Sequence, residues 1–142
     1  MTKPAMPAMN QRGAMMLEAL IGILIFSTGI LALIGMQAMS IAYSSDAKYR
    51  ADASFFANQI ISEIWVNRGA IANYEYDGTG APPAELTNWV NAIEGSLPGA
   101  TAYKPIVDVD TATGQVTVTV RWRPPNSETE RNHRTIAQIT NP

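Results

Sequence analysis

Between Glu18 and Asp46 the chain carries no charge, and Ala19 to Met36 forms an apolar run of 18 residues. As a helix that run spans about 27 Å, close to the hydrocarbon thickness of a bilayer. From Ala14 to Arg68 there is no proline, and glycine occurs only at Gly22, Gly29 and Gly35, so one continuous helix is predicted. Each glycine costs up to about 1 kcal/mol relative to alanine in a helix interior. Lipid and neighbouring helices offset that cost, because small residues let helices approach closely. Beyond Asp46 the pattern turns amphipathic. Ala53, Phe56, Ile60 and Ile64, flanked by Ala57 and Ile61, share one broad apolar face, and Asp52, Gln59 and Glu63 lie opposite. Such a face packs against its own domain far more often than into a partner's groove, so this half of the helix is predicted to wall a head domain.

Gly69 to Ala84 reads as loop, broken by Asp77-Gly78-Thr79-Gly80 and Pro82-Pro83. Glu85 to Ile93 reads as a short helix with Leu86, Trp89, Val90 and Ile93 on one side, stopped by Gly95 and Pro98. The period then changes to two. In Gln115 to Arg123, Val116, Val118, Val120 and Trp122 fall on one face, with Thr117, Thr119, Arg121 and Arg123 on the other. Tyr103 to Asp110 is predicted to fold back through Thr111 to Gly114, with a turn centred between Ala112 and Thr113. Val109 then faces Val116, Val107 faces Val118 and Tyr103 faces Trp122. A slip of one residue would scatter these pairs over both faces, which specifies the register. Asn132 to Ile139 is a third strand after the polar loop Pro124 to Arg131. The expected fold class is α+β: a long N-terminal helix, hydrophobic then amphipathic, against an antiparallel sheet of three to four strands.

Charge adds direction. The net charge of −2 suggests no nucleic-acid partner. Only Lys3 and Arg12 precede Gly13, whereas residues 69–110 hold Glu75, Asp77, Glu85, Glu94, Asp108 and Asp110 against Lys104. Positive charge ahead of an apolar run favours a cytoplasmic N-terminus with the remainder exported. There is no cysteine, so the head relies on its apolar core.

Candidate chemistry is sparse. His133 is the sole histidine and reads as a surface residue. Asp108-x-Asp110-x-x-x-Gly114 opens like a calcium loop, but Ala112 and Thr119 stand where further oxygen ligands are needed. Trp65, Trp89 and Trp122 read as core anchors. No nucleophile with a nearby base can be assembled, so neither an enzyme nor a cofactor is expected.

The N-terminus admits three readings. A cleavable secretory signal ending at Ser40-Ile41-Ala42 has an acceptable small-residue site, but its apolar run exceeds an ordinary signal and helix continues past it. A plain uncleaved anchor needs neither Gly13 nor Glu18. The third reading uses every feature. Arg12-Gly13-Ala14-Met15-Met16-Leu17-Glu18-Ala19-Leu20-Ile21 resembles the processing site of type IV prepilins. Ser27 to Gln37, and Ala51 to Ala57 followed by Ile64-Trp65-Val66-Asn67-Arg68, are similar to the PilV family of minor pilins, the type IV pilus modification proteins. The resemblance covers roughly residues 1–68.

That resemblance implies a type IV pilin-like fold and a definite organisation: a cytoplasmic leader 1–13, a transmembrane and filament-core half 14–45, and a periplasmic head 46–142. It implies cleavage by a prepilin peptidase between Gly13 and Ala14, and methylation of the new terminus. The family usually has phenylalanine or methionine where this chain has Ala14. It assigns Glu18, fifth residue of the mature chain, to filament assembly and register. The implied partners are the prepilin peptidase, other minor pilins, the major pilin and a tip adhesin. The implied location is the inner membrane, then the pilus. Motility, adhesion or DNA uptake would follow downstream. A type II secretion pseudopilin, or an anchored periplasmic domain that never polymerises, remains open on sequence.

Overall fold

The computed structural model describes residues 11–125 and 127–139, with side chains from Gly13 onward. Lys3, the Arg12 side chain and most of the expected leader lie outside the described residues. Helix α1 runs over Gln11–Val66. A 3-10 segment follows over Arg68–Tyr74, kinked at Ala70, and a second over Ala84–Leu86 leads into α2, Thr87–Ser96. Three strands complete the chain: β1 Ile106–Asp110, β2 Gln115–Trp122 and β3 Arg131–Gln138, in the order β1-β2-β3, antiparallel throughout. The fold is α+β, with one long N-terminal helix and a small three-stranded sheet.

The chain divides into two compact units on either side of Tyr43 and Ser44. In the first, every side chain from Gly13 to Tyr43 is exposed. Its apolar residues surround the helix, which contains an 18-residue window long and apolar enough to cross a membrane. A helix apolar on all sides requires an apolar surrounding, because no face is left for water.

In the second unit, residues 44–66 of α1 lend one face to a core. Ala53, Ala57, Ile60 and Ile64 are fully buried, with Phe56 and Ile61 nearly so. They pack in one cluster with Val107 of β1, Val116, Val118, Val120 and Trp122 of β2, and Leu86, Trp89, Val90 and Ile93 around α2. Each of the buried valine, leucine, isoleucine and phenylalanine side chains contributes about 1.5–3 kcal/mol of transfer free energy. The Trp89 indole N–H donates to the Phe56 carbonyl at 2.9 Å, which pins α2 to α1 and satisfies a buried polar group.

The β1–β2 register is Val107 to Val118 and Val109 to Val116, as the alternation requires. Other expectations need correction. Tyr103 does not face Trp122, because β1 begins only at Ile106, immediately after buried Pro105. The end of β2 takes other partners: the Arg121 guanidinium donates twice to the Lys104 carbonyl, at 2.8 and 2.6 Å, and Arg123 N–H donates to the Pro98 carbonyl at 2.8 Å. Tyr103 instead lies beneath the Arg123 guanidinium, 5.5 Å from its ring centre. The loop between β1 and β2 is the expected one, Thr111 to Gly114, with Asp110 opposite Gln115 and Gly114 at φ 73°. Thr117 is buried, not exposed, because β2 is the central strand and Asp108 and Ile136 flank it.

Residues 69–84 are not plain loop. Beyond the 3-10 turns, Tyr76 and Val107 exchange backbone hydrogen bonds at 2.9 and 2.8 Å, a one-residue bridge in place of a fourth strand. Trp65 is no core anchor. It is 42 % exposed, since it follows Ile64 on the helix and so points away from the buried face. His133 is half-buried on the helix-facing row of β3, its Nε2 3.0 Å from the Thr135 hydroxyl.

Candidate functional site

Gly13, Ala14 and Glu18 all fall within the first turns of α1, and all three are exposed. Ala14 and Glu18 are four residues apart and share a helix face. The neighbouring side chains Met15, Met16, Leu17, Leu20 and Ile21 are 49–74 % exposed, so the carboxylate stands alone in apolar surface. A Cβ placed on Gly13 meets nothing within 4 Å. Packing within the chain therefore does not require glycine at this position, although glycine weakens a helix.

A chain beginning at Ala14 changes the electrostatics of this end. The first four amides of a helix lack intrahelical partners, and the macrodipole places partial positive charge there. An ammonium group at that point is disfavoured by the dipole and gains from any nearby carboxylate. In hydrocarbon the carboxylate has the complementary need, because an unpaired charge there costs several kcal/mol. Helical side chains lean towards the N-terminus, which carries Glu18 towards the level of Ala14. The arrangement can thus hold one ammonium group, from its own terminus or from a neighbouring helix.

Within the second unit a separate charged cluster joins α1 to the sheet. The Arg131 guanidinium, at the start of β3, lies 2.5 Å from an Asp46 carboxylate oxygen that Arg50 also approaches at 3.3 Å. The other Asp46 oxygen is buried without a partner. Spacing in the sequence gave no hint of this contact, since the two residues are 85 positions apart and meet only once β3 is placed.

The acidic loop has a structural task. Asp110 accepts from the Thr113 hydroxyl at 2.7 Å and from the amides of Ala112 and Thr113 at 2.9 and 3.2 Å. These bonds, led by the Thr113 hydroxyl, hold its carboxyl below the ordinary carboxylate range. Asp77 is lowered in the same way by the Thr79 hydroxyl and amide. Burial pushes the Tyr74 phenol up, against the Asn67 amide that donates to it at 2.8 Å. Among the described residues no group of three or more His, Asp or Glu side chains is placed to hold a metal ion. A cavity of about 490 Å³ lies between residues 68–72, residues 111–114 and Ile139, and among the described residues Arg68 is the one charged residue lining it.

No family model, curated protein or solved structure matches the chain.

Proposed function

We propose that the chain is a minor pilin, cut by a prepilin peptidase between Gly13 and Ala14 and built into a type IV pilus or its priming and tip complex. The observation that carries this reading is Glu18: a single carboxylate, five residues past a glycine, on a helix segment otherwise apolar on every side. Cleavage creates an ammonium group at Ala14. A neighbouring subunit's terminus then supplies the cation that Glu18 lacks, so the correct axial stagger is rewarded and a wrong one penalised. Fixing register is the best-attested use of a buried ion pair. The amphipathic residues 44–66 join this segment to a folded head whose surfaces select other minor pilins, the major pilin or a tip adhesin.

The test is Glu18→Val expressed in a host lacking the wild-type copy. We expect the variant to insert into the membrane and be processed, yet to be largely absent from sheared pili. Normal incorporation of Glu18→Val contradicts the reading. A protein that stays in the membrane fraction whether or not Glu18 is present belongs instead to the anchored, non-polymerising class.

A further inference from the structure

The two edges of the sheet are finished differently. At the β1 edge, Val107 exchanges both backbone hydrogen bonds with Tyr76, and Val109 N–H donates to the Glu75 carboxylate at 2.6 Å. At the other edge, β3 runs eight residues in unbroken register with β2, without bulge or proline. Ile139 donates its N–H to the Gly114 carbonyl at 2.7 Å. Bonded and non-bonded pairs alternate along an antiparallel ladder. Arg131, His133, Thr135 and Ala137 therefore spend their backbone groups on β2, while Asn132, Arg134, Ile136 and Gln138 direct theirs outward. Among the described residues no backbone group meets these outward amides and carbonyls.

The side chains at those outward positions say what fits. All four are exposed, Ile136 at 55 %. Arg134 is in no ion pair among the described residues, and β3 carries Arg131, His133 and Arg134 but no acid. A second copy of β3 brings no carboxylate to Arg134. An extended segment that alternates carboxylate and apolar side chains meets Arg134 with charge and Ile136 with apolar surface, while its backbone completes the ladder. We propose that the β3 edge accepts such an acidic strand from another polypeptide, as a fourth strand of the sheet. This rests on the sheet alone and stands or falls independently of the pilus reading.

The experiment uses the full chain in detergent micelles, with residue-resolved amide exchange read by NMR. The probes are a short peptide alternating valine and glutamate and its counterpart alternating valine and lysine. We expect the glutamate peptide to protect the amides of Asn132, Arg134, Ile136 and Gln138, and the lysine peptide to bind roughly tenfold more weakly. Arg134→Glu should reverse that preference. Ile136→Pro removes an outward N–H and no β2–β3 hydrogen bond, so it should abolish protection while the remaining ladder persists. Where that variant loses its fold, Arg134→Glu decides. Absence of protection, equal binding of the two peptides, or an unchanged preference in Arg134→Glu overturns the proposal. Protection of these amides without peptide, rising with protein concentration, also overturns it by assigning the edge to a second copy.

Discussion

Asp110 and Gly114 close the β1–β2 loop by different means. Asp110 is exposed, yet three donors converge on its carboxylate and lower its pKa. A carboxyl depressed in the fold adds stability above its unfolded pKa and loses it as pH falls through the folded value. We predict that Asp110→Asn lowers the melting temperature of the head at pH 7. The gap from wild type should begin to shrink below about pH 4, where the unfolded carboxyl protonates, and close only once pH has fallen through the lower folded value. An equal gap at both pH values, followed by tryptophan circular dichroism, contradicts this. Gly114 sits at φ 73°, and a Cβ there would collide with the Ile139 carbonyl. Gly114→Ala should cost about 1–3 kcal/mol in urea denaturation, from backbone strain and lost room together. The glycine marked the turn in the sequence. Its four-residue form, Thr111 to Gly114, was legible from the pairing of Val109 with Val116, whereas the bonds to Asp110 that close it were not.

At the scale of elements, two periods account for most of what was legible. A spacing of three and four brought Ala53, Phe56, Ile60 and Ile64 to one face of α1, and a spacing of two brought Val116, Val118, Val120 and Trp122 to one face of β2. Both faces are buried against each other in the core. Ile60→Ala or Ile64→Ala should therefore cost about 2–5 kcal/mol, while Trp65→Ala, on the exposed side, should cost far less. Comparable losses at Trp65 and Ile64 in the same denaturation assay would be inconsistent with this packing. Between Pro98, read as a stop signal, and Ile106, where β1 begins, only Tyr103 to Pro105 carried a reading, as strand, and they lie outside it. The Lys104 carbonyl is held by the Arg121 side chain and the Pro98 carbonyl by the Arg123 backbone N–H, and neither residue carries a local signal of a partner so distant in sequence. The Asp46–Arg131 pair belongs to this scale as well. It is partly exposed, at 23 % and 37 %, so a double-mutant cycle should give a coupling of about 1 kcal/mol.

At the scale of the whole molecule, an apolar helical unit and a folded head carry separate demands. The first requires hydrocarbon or other helices around it, and the second folds around its own core. The candidate site lies in the first unit, and its residue types were plain in the sequence because charge is absent from the 27 residues after Glu18. The β3 edge was not plain, because an open sheet edge exists only after folding. Gly13→Ala should leave helix and head unchanged, since a Cβ there meets nothing, while the peptidase leaves the leader attached. The expected readout is a slower-migrating chain of unaltered circular dichroism. The most direct test of the account is mass spectrometry of the mature N-terminus, on protein isolated from its own host. The account predicts a chain starting at Ala14 and bearing a methyl group on its amine. A chain starting at Met1, or at Tyr43 after signal cleavage, contradicts it.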